Sequence, residues 1–222
     1  MGDWVLGPGE ILRAFVAAVA SGELWTHTAA SLARSLPGFA LGAFLGAALG
    51  LLAGVSRALD DILSPPVFLS YPVPKIVFLP IVMVWFGIGD LSKIVIIAAA
   101  CFYPVFINAY YGARSTRTIL VWSALNMGAR RWQLFWKVVV PSAAPMILTG
   151  LRVALALSFI LLFAAEMVGS RSGLGWLIKQ AEQGLSFDLM YVSILTIAIL
   201  GWAGDALLRV ARARLVAWAD QR

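Results

Sequence analysis

WSALNMGARRWQLFWKVVVP, residues 122–141, is the stretch on which the reading of this chain turns. It is basic and amphipathic, and it separates two apolar runs that are each long enough to cross a bilayer. Leu125, Ala129, Trp132 and Trp136 recur every three or four residues, the spacing of a helix with one apolar face. From position 114 to 142 stand Arg114, Arg117, Arg130, Arg131 and Lys137, with no acid among them. Positive charge collects in cytoplasmic loops, so this linker is expected in the cytoplasm. Gly128 interrupts the pattern at a cost of about 1 kcal/mol relative to alanine. It marks either a bend between two short helices or a close contact. Pro141 is expected at or near the first turn of the next membrane element, where its missing N–H does no harm. A patterned cytoplasmic helix between spans suits docking by a separate soluble motor.

Composition agrees with a membrane protein. The chain is 61% hydrophobic and 13% charged over 222 residues, whereas a soluble domain carries about 25% charged residues. Its length allows one domain. The net charge of +6 sits at span ends and in the cytoplasmic linker, which is a topology signal rather than a nucleic-acid surface. Cys101 is alone in an apolar run, so an intrachain disulfide and a cysteine-cluster metal site are excluded. Met1 to Pro8 lacks the basic head of a signal peptide, and Ala14 to Ala20 is too short to span. Residues 9–34 read as one or two amphipathic helices at the membrane surface, so 1–34 is taken as an interfacial N-terminal region.

Five crossings follow, near Leu36–Val55, Ile62–Ile88, Leu91–Tyr111, Ala143–Val168 and Leu189–Val210, making a 36–210 core. Each is long enough for roughly 30 Å of hydrocarbon. The 114–142 loop and the cluster Arg209, Arg212, Arg214 then face the cytoplasm, and the N-terminus lies outside. The 56–61 loop dissents, with Arg57 set against Asp60 and Asp61. In the first span Gly38, Gly42, Gly46, Gly50 and Gly54 are spaced by four and make one shallow groove, which lets a neighbouring helix approach closely. In the second, Pro65, Pro66, Pro72, Pro74 and Pro80 exceed what a regular helix holds. Broken backbone at membrane depth needs cover from protein or a wet cavity. The alternative is a break at the interface between a short surface helix (62–71) and a short span (76–88), with Lys75 snorkelling to the cytoplasmic side.

The order Ser123, Ala124, Gly128, Val138, Val140, Pro141 resembles the EAA loop of binding-protein-dependent ABC importer permeases, E-A-A-x3-G-x9-I-x-L-P. Trp122 stands where that pattern has glutamate and Ser123 where it has the first alanine, which implies either a more apolar contact with the motor or an unusual motor subunit. LWTHTAASLARSLPGFALGAFLGAALGLLAG, PVPKIVFLPIVMVWFGIGDLSKI, CFYPVFINAYYG and AEMVGSRSGLGWLI extend the likeness over roughly 24–205, to the nitrate/sulfonate/taurine branch. Such permeases often carry one more span upstream, so this N-terminus is expected to be naturally short or wrongly assigned. The resemblance implies an all-α, polytopic helical bundle of the MetI-like type in the bacterial inner membrane. It implies a pore of two permease chains embedded in membrane lipid, a homodimer with a second copy or a pair with a different permease. It further implies ABC ATPase subunits docked on the loop and a periplasmic or lipid-anchored solute-binding protein. Alternating access would be driven by the ATPases. Trp122, Ser123, Ala124, Leu125, Gly128, Ala129, Arg130, Trp132 and Pro141 would form the coupling site. No G-x4-G-K-[ST] phosphate loop is present, so the chain is expected to bind no cofactor, with ATP and magnesium held by the partner, and to be no enzyme. The cargo would be a small nutrient: an oxyanion, a sulfonate, or a cyclic or pyrimidine-like compound.

Among polar groups, Glu166 near the outer end of the fourth span is a candidate for the substrate pathway, or else an interfacial cap or a contact for the binding protein. Asn108 faces the cavity or bonds a neighbouring helix. Tyr103, Ser158 and Trp85 are weaker pathway candidates, otherwise helix contacts or interfacial anchors. His27 reads as lying alone on a polar surface helix, without partners for a metal site. SRSGLG, ending at Gly175, resembles an extracytoplasmic loop that could touch the binding protein, the alternative being a flexible turn. The competing class is an ion-coupled secondary transporter, which needs an internal repeat and several buried carboxylates; only Glu166 qualifies and no repeat is seen.

Overall fold

A computed structural model describes residues 6–216. Its elements, in order, are α1 (Pro8–Ala20), α2 (Glu23–Val55), α3 (Arg57–Ser70), a 3-10 turn (Lys75–Phe78), α4 (Leu79–Phe86) and α5 (Asp90–Arg114). Then come α6 (Thr118–Asn126), α7 (Arg131–Leu134), a π-helical turn (Phe135–Val139), α8 (Val140–Gly169), α9 (Leu174–Gln183) and α10 (Phe187–Leu215). Among the described residues there is no strand.

The glycine groove of α2 determines the topology. A methyl group at Gly38 would meet Ile97 and the Ile94 carbonyl, and one at Gly42 would lie 2.3 Å from the Ala98 carbonyl oxygen. Gly46 meets Phe102 and Val105, Gly50 meets Phe106 and Ala109, and Gly54 meets Tyr110 and Ala113. Residue numbers rise together along both helices, so α2 and α5 run parallel with their backbones in contact. Where lipid offers no hydrophobic drive, such close packing is the main source of helix association. Parallel neighbours also require the chain between them to cross back. The segment that does so is α3 with the 75–86 helix, bent by 93° at residues 71–74. Among the described residues, four helices are individually long and apolar enough to span, and this broken pair, taken as one span, makes five.

Only two of the five prolines break the second crossing. Pro65 and Pro66 sit inside α3, and Pro80 lies in the first turn of α4, where no donor is needed. Pro72 and Pro74 end the ladder because neither can donate to the preceding turn. α8 runs antiparallel to α5, with Gly112 against Ala143 and Gly150 against Asn108 and Pro104. The core lies where α2, α4, α5 and α8 meet, around Ala43, Leu79, Ile97, Cys101, Ala154 and Leu161.

Two boundaries differ from the sequence reading. The first span does not begin at Leu36: α2 is continuous from Glu23 through Pro37. The expected surface helices over 9–34 are therefore α1 and the outer end of α2, and residues 1–5 of that N-terminal region lie outside the described residues. The polar face of 27–35 needs no membrane surface because protein buries it. Helix also extends without a gap from Arg131 to Gly169, since the π turn widens the coil just ahead of Pro141 and absorbs its clash. The dissenting 56–61 loop is explained by tertiary pairing: Asp60 meets Arg114 at 2.7 Å, which joins the inner ends of α3 and α5.

Candidate functional site

The basic linker between α5 and α8 is an elbow of two short helices. α6 ends in a Schellman motif: Gly128 N–H donates to the Leu125 carbonyl (2.9 Å) and Ala129 N–H to the Ala124 carbonyl (3.0 Å). Gly128 holds φ +80°, and nothing lies within 4 Å of where its Cβ would be. The glycine thus serves the bend and makes no close contact. α7 starts afresh, with the Arg130 N–H capped by the Gln133 side chain at 2.9 Å. The single amphipathic face expected through Leu125, Ala129, Trp132 and Trp136 is consequently divided, because α6 ends at the left-handed Gly128 before α7 begins.

What the elbow presents outward is apolar and basic. Met127 is 81% exposed and Trp132 70%, with Trp122, Trp136 and Leu125 also exposed. Ala124 is the only residue of α6 that is buried. Ser123, Ala124 and Pro141 line one cavity of about 560 Å³ between α6 and the start of α8, together with Arg117 and Lys137. Gly128 and Ala129 line a neighbouring hollow. The fold therefore gathers most of the expected coupling residues in one place.

The expected pathway residues are not gathered. Trp85 on α4 is 75% exposed. Asn108 Nδ2 donates to the Pro104 carbonyl in its own helix at 2.8 Å. Ser158 does the same toward Leu155 at 2.7 Å. Tyr103 lines a cleft beside the 71–74 break, and Glu166 is sealed inside protein at the outer end of α8.

Glu166 anchors an ionic cluster of which the sequence reading found only one member. The first four backbone donors of α9 lack intrahelical partners, and three of them find a side chain from elsewhere. Gly173 N–H donates to His27 Nδ1 (3.1 Å), Leu174 N–H to Ser31 Oγ (2.8 Å) and Gly175 N–H to Glu166 Oε2 (2.9 Å). Arg34 donates through Nη1 to Glu166 (2.7 Å) and to the Ser172 carbonyl (2.7 Å). Its Nη2 donates to Ser172 Oγ (2.8 Å) and its Nε to Asp90 (2.6 Å). Lys93, 1% exposed, closes the 87–89 turn by donating to the Ile88 and Gly89 carbonyls. His27 is thus not alone on a polar surface; it is buried and stacked on Trp176. A sequence signal existed: His27, Ser31 and Arg34, at i, i+4 and i+7, share one helix face. Chemically the cluster is a clasp, pinning the SRSGLG loop to α2, α5 and α8.

Comparison with known proteins agrees with this geometry. Residues 38–218 match the family described as binding-protein-dependent transport system inner membrane component. The taurine transport system permease protein TauC of Escherichia coli K12 is 37% identical over 88% of this chain and 71% of its own length. A putative aliphatic sulfonates transport permease protein, SsuC of Bacillus subtilis 168, is 35% identical over 95% of this chain and 76% of its own. The riboflavin transport system permease protein RibX of Chloroflexus aurantiacus is 34% identical over 95% and 79%. Among solved structures, an inward-facing form of the MetNI methionine ABC transporter superposes with TM-score 0.68 at 22% identity. It covers 98% of this chain and all of that one, a likeness of fold.

Proposed function

This chain belongs to the family of binding-protein-dependent transport system inner membrane components, and from that premise we propose that two copies of it form a pore for a small sulfonate. It is the membrane-spanning subunit of an ATP-binding-cassette importer, a multi-pass protein of the inner membrane, and it is not an enzyme. An importer permease works with ATPase and solute-binding partners. We assign the ATPase contact to the α6–α7 elbow, and ATP with its magnesium to that partner.

The observation that supports the docking assignment is the exposure of Met127, Trp122 and Trp132 beside a basic cavity, on a bent helix pair whose second helix runs on into α8. Because helix continues from Arg131 to Gly169, a push on the elbow is delivered along α8 to the clasp at its outer end. Alternating access would then be a rocking of α8 against the parallel α2–α5 pair. The taurine and sulfonate relatives favour a sulfonate cargo. The test is co-purification from membranes with the ATPase expressed beside it. Ala124→Asp and Gly128→Arg are expected to abolish recovery of the ATPase, while full recovery in both refutes the docking site. Uptake of taurine and of alkanesulfonates by the reconstituted complex with its binding protein tests the cargo.

A further inference from the structure

Lys75 lies level with the middle of α5, not with either of its ends. Its Nζ sits 3.9 Å from the centre of the Tyr103 ring. Tyr103 is 13 residues, about 20 Å, into a 25-residue helix of about 37 Å that begins at the outer surface. The expected snorkelling to the cytoplasmic side therefore does not occur. The reason is local: Pro72 and Pro74 leave the end of α3 without a continuing ladder. Lys75 donates to the carbonyls so exposed, at 2.6 Å to Ser70 and 2.8 Å to Val73. A third, longer contact of 3.4 Å reaches the Tyr71 carbonyl.

The lysine also lines a cleft of about 330 Å³ between the break, α5 and α8. Tyr71, Tyr103, Leu161 and Ala164 form its other walls, and Lys75 is the one charged residue among those lining it. Among the described residues no carboxylate comes within ion-pair distance of it. Carbonyl dipoles and an aromatic face hold the ammonium without cancelling its charge. An uncompensated ionisable group at this depth, on a discontinuous helix, is where transporters meet cargo.

We propose that this cleft is a transient binding site for the anionic head of the cargo, with Lys75 as counter-charge and the Leu161–Ala164 face of α8 receiving its apolar part. The substrate class is a small alkanesulfonate, and this rests on the sulfonate reading above. A sulfonate oxygen would take the poorly used third ammonium proton, and the Tyr71 and Tyr103 hydroxyls would supply further polar contacts.

The experiment uses the complete complex, permease with its ATPase and binding protein, in liposomes loaded with ATP, with 1-pentanesulfonate as probe. Lys75→Met is expected to lower uptake at least about tenfold, the size of one lost charge-assisted contact. Binding-protein-stimulated ATP hydrolysis should stay within about twofold. Lys75→Arg should keep most of the uptake. Ala164→Phe, which fills the cleft from α8 and leaves the lysine's carbonyl contacts in place, should also lose uptake but not hydrolysis. Undiminished uptake in Lys75→Met and Ala164→Phe overturns the site and leaves the sulfonate reading intact. Loss of uptake and hydrolysis together in both variants also overturns it, since that marks a structural role. A wild-type complex that hydrolyses ATP yet imports no sulfonate overturns the reading of the cargo, and the site with it.

Discussion

Arg34 and Glu166, 132 residues apart, form a buried ion pair of 2.7 Å that ties the outer end of α2 to that of α8. Glu166 is fully buried and also accepts from Ser31 and the Gly175 N–H. Removing one partner of such a pair leaves an uncompensated charge, which costs about 3–5 kcal/mol, whereas replacing both by apolar residues is often near neutral. Arg34→Met is therefore expected to lower the melting temperature of the detergent-purified protein sharply. Arg34→Met with Glu166→Leu should recover part of the loss. If the double variant melts below the single one, the clasp is not organised around this pair.

Gly173 extends the same clasp into the loop. A methyl group there would lie 2.2 Å from Glu166 Oε1, and φ is +111°. Gly173→Ala should displace the carboxylate and loosen residues 170–175 from the bundle. Faster amide hydrogen exchange across Ser172–Ile178 in the variant is the expected result. Unchanged exchange would mean that the loop is held by other contacts.

The glycine groove invites a paired comparison. A side chain at Gly42 collides with the backbone of α5, which cannot swing away. Gly42→Leu should cost at least about 3 kcal/mol, the upper range for overpacking, and give aggregated protein on size exclusion. Gly201 in α10 has nothing within 4 Å, so Gly201→Ala is expected to be neutral or to stabilise by up to about 1 kcal/mol. Equal melting temperatures for the two variants would dissolve the distinction.

At the elbow, Gly128 is required for its conformation alone. Gly128→Ala should cost about 1–2 kcal/mol for placing a side chain in the left-handed region. The protein should stay folded but couple its ATPase less well. Transport per ATP hydrolysed, compared with Ala129→Gly as a control nearby, reads this directly.

Much of the architecture was legible in one dimension. Run lengths marked the crossings, and arginines without acids set the 114–142 linker apart from the spans. Glycines every fourth residue announced a close neighbour for α2 without saying which helix it was. Gly128 was read as a bend or a contact, and only its dihedral decided between them. Proline content overstated the disruption of the second crossing, because Pro65 and Pro66 lie within α3 and Pro80 in a first turn. His27 was misjudged for want of Trp176 and Gly173, which lie nearly 150 residues away in the chain.

Periodicity, apolar length and charge bias are properties of neighbouring residues, so the sequence by itself determined a helical membrane bundle and a basic, patterned linker between two of its spans. Partnership across the chain depends on which helices touch. The parallel seating of α5 in the groove of α2, the seal around Glu166 and the depth of Lys75 were decided by tertiary packing alone. The physical reason is that a buried charge is tolerated only where the folded neighbours supply its counter-charges or dipoles, and no local pattern records who those neighbours are.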